Sequence, residues 1–294
     1  MSHKAVTNEV KTSNDNERVS SEVSAITTKI ATSEMPYELG SRLRVSENGR
    51  TAEIVLLVDV PLRFFLGNTF GSRDANTTRV SRPTNSTLLI EYGVDEDADG
   101  DGIRPKLRID HSVDDEDNAV EYYRFRWSKP NDLKDMRDAF NLFGSSSTTR
   151  WYGGAAVPEI RWPINGFTDR YDFTPHLVHS IFHQQATGQE RYWLCSERVA
   201  LHLPDTVPLW TKLDGGYLEL WANAHDSPYV NFQYDNAAFL DYEIAVGQIV
   251  TSAGDGGGAP RYAHSLRDFH QRLFRRYLNA PTGEKFEKFL LLLL

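Results

Sequence analysis

From Leu43 onward, apolar and polar residues alternate with a period of two, the spacing of a strand with one face in a core. Tyr123, Phe125 and Trp127 share one face within Tyr122 to Trp127; Tyr217-Leu218-Glu219-Leu220-Trp221 alternates along its length, and Tyr242 to Gly247 forms another such run. Glu53 to Val60 and Thr87 to Gly93 read as further apolar strands, with Lys106 to Asp110 as a possible return strand. Turn signals separate these runs, as at Thr187-Gly188 and Asp214-Gly215-Gly216. Two stretches change period. Asp132 to Phe140 reads as a short helix ending in a loop over Gly144 to Thr149. Leu266, Phe269, Leu273 and Tyr277 follow helical spacing, with Ser265 and Asp268 as a capping box and Asn279-Ala280-Pro281 as the stop. The pattern predicts a mainly β chain: an antiparallel β-sandwich of two sheets, with a C-terminal linker helix.

The flanks break the alternation. Residues 1–35 are rich in Ser, Thr, Asn and Glu and read as a disordered polar tail, although Val19, Val23, Ile26 and Ile30 fall on one helical stripe. Residues 36–253 form the expected sandwich. Residues 254–280 hold the glycine-rich linker Gly254 to Gly258 and the amphipathic helix, in which Arg267, Arg272, Arg275 and Arg276 crowd a polar face. Residues 281–294 are a short apolar tail of Phe289 and leucines, too short to span a bilayer.

Charge and composition narrow the partners. The chain carries 41 acidic against 32 basic residues, a net charge of −9, which disfavours nucleic acid and anionic membranes. Its most apolar stretch, Ala52 to Leu66, is interrupted by Asp59, Pro61 and Arg63; a membrane span needs about 20 mainly apolar residues, so this reads as a buried strand pair. The N-terminus lacks the apolar core of a secretory signal. Yet Asn76-Thr77-Thr78 and Asn85-Ser86-Thr87 are glycosylation sequons, so the compartment stays open. The one cysteine, Cys195, excludes an intrachain disulfide and reads as a small buried hydrophobe.

Candidate chemistry is sparse. Asp97, Asp99, Asp101 and Gly102 reproduce the opening of a calcium loop, but Arg108 stands where the closing Glu belongs, which leaves a solvated hairpin tip as the alternative. His176, His179 and His183 would share a helical face, but the β-branched residues around them favour a strand, where His176 and His179 diverge; this argues against zinc. No nucleophile elbow, P-loop or dinucleotide fingerprint is present, and no cofactor is implied. Five of the six tryptophans fall between Trp151 and Trp221, and the run Arg150-Trp151-Tyr152-Gly153-Gly154 opens that segment. Flat rings beside a glycine pair suit a sugar-facing surface, and equally a sandwich core.

Residues 150 to 281 resemble the N-terminal β-sandwich of glycoside hydrolase family 31, most closely its animal myogenesis-regulating glycosidase branch. The matching runs are Arg150 to Gly154, Arg161-Trp162-Pro163-Ile164, Glu190-Arg191-Tyr192-Trp193-Leu194, Val207-Pro208-Leu209, His225-Asp226-Ser227-Pro228-Tyr229 and Arg275 to Pro281. The resemblance implies a galactose-mutarotase-like sandwich in which Trp151, Tyr152, Gly153 and Gly154, aided by His225 and Asp226, form the rim of a sugar pocket. In the family a (β/α)8 barrel follows and carries the catalytic carboxylates of a retaining α-glycosidase. Such a barrel needs about 250 residues, and only Pro281 to Leu294 follow the helix. The expectation is therefore a noncatalytic sandwich without catalytic residues of its own. The alternatives are a standalone carbohydrate-binding module, or a partner-binding protein using the sandwich face that a barrel would cover.

Overall fold

A computed structural model describes residues 35–57, 61–67, 78–93, 105–114, 119–128, 137–142, 149–155, 163–164, 171–175, 189–214, 216–224, 229, 240–250 and 260–277. Two sheets of eight strands each contain most of them. The first sheet runs in the order β1 (Tyr37–Leu39), β2 (Leu43–Val45), β3 (Thr51–Ile54), β4 (Leu62–Phe65), β9 (Arg137–Asn141), β15 (Tyr217–Ala222), β14 (Leu209–Asp214), β11 (Tyr171–Pro175). The second runs β10 (Trp151–Ala155), β12 (Gln189–Cys195), β13 (Val199–His202), β16 (Asp241–Gly247), β8 (Val120–Ser128), β7 (Lys106–Val113), β6 (Thr87–Tyr92), β5 (Thr78–Thr84). Neighbouring strands are antiparallel throughout. A small hairpin pairs β17 (Ile249–Val250) with β18 (Arg261–Tyr262).

The period-two alternation builds this arrangement. On β15, Leu218, Leu220 and Ala222 are buried while Tyr217, Glu219 and Trp221 are half-buried on the other face. On β8, Tyr123, Phe125 and Trp127 all point inward. Rings from the two sheets then meet between them. Phe64 of β4 packs edge-on to Phe125 of β8, with centroids 5.5 Å apart, and Phe140 of β9 packs edge-on to Tyr242 of β16 at 5.6 Å. Edge-to-face contact places the positive ring edge on the negative ring face and adds to the burial of apolar area.

The segment read as a helix over Asp132 to Phe140 is corrected at its described end: Arg137–Asn141 is strand β9. Its alternation was masked because an acidic residue, Asp138, occupies an inward position beside Phe140. The C-terminal helix α1 (Leu266–Tyr277) forms where its spacing placed it. The Ser265 hydroxyl accepts the Asp268 amide at 3.1 Å, satisfying one of the unpaired donors of the first turn. Phe269 and Leu273 bury against Val120, Tyr122, Tyr192, Ala200 and Ala245 on the outer face of the second sheet. The Arg276 guanidinium lies 3.9 Å from the centre of the Tyr122 ring and donates to both oxygens of Glu243, at 3.1 and 3.2 Å.

Candidate functional site

The Trp151 to Gly154 run is strand β10, an edge strand paired with β12. Trp151 lies opposite Cys195, Tyr152 opposite Leu194 and Gly153 opposite Trp193. Alternation turns the Trp151 ring into the core, where it is 2% exposed, and leaves Tyr152 half-buried on the outer side. The glycine pair has a local cause. Gly153 and Gly154 take φ values of 113° and 76°, a region that side-chain-bearing residues rarely enter, and the register shifts between Gly153 and Ala155. A Cβ on Gly153 would stand 2.2 Å from the Tyr192 carbonyl oxygen, and one on Gly154 would stand 2.7 Å from the Trp193 indole nitrogen. The glycines thus let the edge strand bulge over Trp193. Ser196 fastens the strand's entry: its hydroxyl accepts the Arg150 amide at 3.0 Å, and its own amide donates to the Arg150 carbonyl at 2.8 Å.

Of the other predicted positions, the structure describes Asn85. Asn85 sits exposed in the turn between β5 and β6. His225 and Asp226, the acidic triplet Asp97, Asp99 and Asp101, the sequon residue Asn76 and the histidines His176, His179 and His183 lie outside the described residues. Among the described residues no cluster of three or more His, Cys, Asp or Glu side chains could hold a metal ion, and no helix is long and apolar enough to cross a membrane. Cys195 is buried, and burial pushes its thiol up to about 12, away from the range of a reactive thiolate.

The conspicuous polar groups are two buried carboxylates, Glu121 and Asp138, which stand outside the motifs of the sequence. Glu121 of β8 receives the turn between β1 and β2. Its Oε2 accepts the Ser41 amide at 3.0 Å and the Tyr123 hydroxyl, and pairs with His111 Nε2 at 3.1 Å. Its Oε1 accepts the Ser41 hydroxyl and, at 3.2 Å, the Gln248 side-chain amide. Burial pushes this carboxyl up, but the hydrogen bonds from His111, Ser41 and Tyr123 outweigh it and hold the group at about 2.

Asp138 of β9 is fully enclosed. Oδ1 accepts the Gly67 amide at 2.7 Å; Oδ2 accepts the Trp127 indole N–H at 2.8 Å and the Tyr242 hydroxyl at 2.7 Å. Burial dominates here and raises the carboxyl to about 6, against the pull of those donors. A readable signal existed for Glu121, because it shares parity with the inward row Tyr123, Phe125 and Trp127. In both places the carboxylate oxygens are engaged by neighbours that join the two sheets, which is a structural use of acidity.

No protein-family model matches the chain. It is similar to myogenesis-regulating glycosidase of Mus musculus, 28% identical over 172 residues that cover 56% of this chain and 21% of that protein. The chain therefore spans about a fifth of the curated relative it matches. Solved structures similar to it include a GH31 family sulfoquinovosidase from E. rectale in complex with an aza-sugar inhibitor, with TM-score 0.36 and 9% identity, covering 71% of this chain and 32% of that one. A Flavobacterium johnsoniae GH31 dextranase complexed with glucose gives TM-score 0.27 and 8% identity, covering 68% of this chain and 25% of that one. The sequence likeness thus runs to an animal glycosidase, over 172 residues of this β-sandwich chain.

Proposed function

We propose that this chain is a noncatalytic sandwich module of a family 31 glycosidase-like protein, with its edge strand β10 contributing the rim of a sugar pocket. Hydrolysis would then belong to a barrel joined to it. One observation carries the reading: Glu121 and Asp138, the fully buried carboxylates among the described residues, are closed around structural donors, while Tyr152 is turned outward on β10, the last of the described strands of its sheet, held by Trp193 and Ser196. A general acid or nucleophile must reach the scissile bond, and Asp138 at 0% exposure reaches only its own core. The sequence resemblance adds His225 and Asp226 to the proposed rim. The test is a turnover assay with α-linked aryl glycosides: the purified chain should release no chromophore. Release that persists after exclusion of contaminating glycosidases would overturn the proposal.

Tyr152 also favours a second reading, a standalone carbohydrate-binding module, because a half-buried ring on an edge strand can stack on a sugar face. Titration with α-glucosides and α-galactosides should then change aromatic fluorescence in the millimolar range, and Tyr152→Ala should abolish the change. A flat titration of the unmodified chain would rule this second reading out.

A further inference from the structure

The sequon Asn85-Ser86-Thr87 occupies a place that its sequence alone does not convey. Strand β5 is the outer strand of the second sheet, and Asn85 and Ser86 form the tight turn joining it to β6. Every residue from Arg82 to Ser86 is exposed. The turn closes on itself without the asparagine: the Ser86 amide donates to the Thr84 hydroxyl at 3.3 Å, and the Thr84 and Ser86 hydroxyls are also 3.3 Å apart. The Asn85 carboxamide takes no part in that network, so a large substituent on it displaces no hydrogen bond among the described residues.

We propose that Asn85 is an acceptor for an N-linked glycan, added before this hairpin closes. In the transfer the Asn85 Nδ2 forms a bond to C1 of the first sugar of a lipid-linked oligosaccharide pyrophosphate. The C1–O bond breaks, the lipid pyrophosphate leaves with the electron pair, and the amide nitrogen loses one proton. The timing follows from Thr87. This third sequon residue is buried, and its hydroxyl donates to Asp110 Oδ1 at 2.9 Å within the sheet. Folding therefore withdraws the hydroxyl from an enzyme that reads it, while the acceptor amide stays outside. The finished glycan projects from one end of the sheet's open edge, where Pro83 already removes a backbone donor.

The experiment directs the full chain through the secretory pathway of cultured mammalian cells behind a cleavable leader, then treats it with peptide N-glycosidase. The expected result is a mass loss of one glycan that Asn85→Gln abolishes, with deamidation at residue 85 in the released peptide. Asn76→Gln should leave that loss in place, and Thr87→Ser should retain it, because serine preserves both the sequon and the hydroxyl on Asp110. A chain without a glycosidase-sensitive mass, or one whose loss is unaffected by Asn85→Gln, would overturn the proposal. The substitution lies at an exposed turn, so a folding failure is not expected to obscure the reading; secretion of Asn85→Gln at the same level checks this.

Discussion

Glu121 and Asp138 are both enclosed carboxylates that join one sheet to the other, yet they stand on opposite sides of their ordinary acidity. Glu121 lies where the β1–β2 turn meets the second sheet, and five donor groups converge on it, including the His111 ring. Asp138 lies among rings at the middle of the sandwich and has three neutral donors. Number and type of donors decide which effect wins: at Glu121 they overcome desolvation, and at Asp138 they do not. At neutral pH the charge on Glu121 is stabilising. The carboxyl of Asp138 holds its place because deleting it would leave three buried donors unanswered.

The largest effect should come from Asp138→Ala. It leaves the Trp127 indole, the Tyr242 hydroxyl and the Gly67 amide without an acceptor in a closed interior, at a cost of about 4 kcal/mol. A urea midpoint lowered by less than the equivalent of about 1 kcal/mol would mean that the core readily supplies substitutes.

The next test separates charge from shape. Asp138 rises from an ordinary 3.8 to about 6, so the native state binds the proton more tightly than the unfolded chain. Its contribution is fully present below 3.8 and is lost as pH rises through 6, by about 3 kcal/mol. Asp138→Asn should remove that loss, so the difference between the two stability curves should change across this window and flatten outside it. The unmodified chain alone will not display the slope. Burial holds His202 at about 4 and also lowers His270, and both contribute stability that grows as pH rises toward 6.5, opposing Asp138.

Glu121→Gln should act in the other direction. The native carboxyl lies near 2 against an ordinary 4.5, so its stabilisation is present above 4.5 and is lost as pH falls toward 2. The variant should be about 2 kcal/mol less stable at pH 7, with the gap closing in acid. A gap independent of pH would place the effect in packing instead of charge.

Gly40→Ala should cost about 2 kcal/mol through the same cradle. Its φ is 61°, and a Cβ there would stand 2.5 Å from His111 Nε2 and 2.6 Å from the Tyr123 hydroxyl. Smallest of all, Ser41→Ala removes one of several donors to Glu121 and should cost about 1 kcal/mol. If the Gly40 and Ser41 variants leave the acid transition unchanged, the cradle is not what holds Glu121 charged.

The same contrast explains what the amino-acid order reveals. Strands with a clean apolar alternation, such as Tyr217–Ala222 and Val120–Ser128, were legible because one face meets the core. Helix α1 was legible from its spacing and its Ser265 cap. Strand β9 was not, because an inward carboxylate interrupts the alternation, and only its distant partners Gly67, Trp127 and Tyr242 make that residue tolerable. The aromatic run of β10 was legible as a unit, but a period of two divides it: Trp151 serves the core, and Tyr152 keeps the outward position. The need for two glycines there came from Tyr192 and Trp193, some forty residues later in the chain.

The enclosure of Cys195 gives the molecule a clock of its own. One thiol per chain, 1% exposed and held protonated, is invisible to an alkylating reagent while the sandwich is closed. Each labelled molecule therefore records one opening of the strands around β12. With reagent concentrated enough to outpace reclosing, the rate of alkylation, followed by mass spectrometry without denaturant, counts those openings one chain at a time.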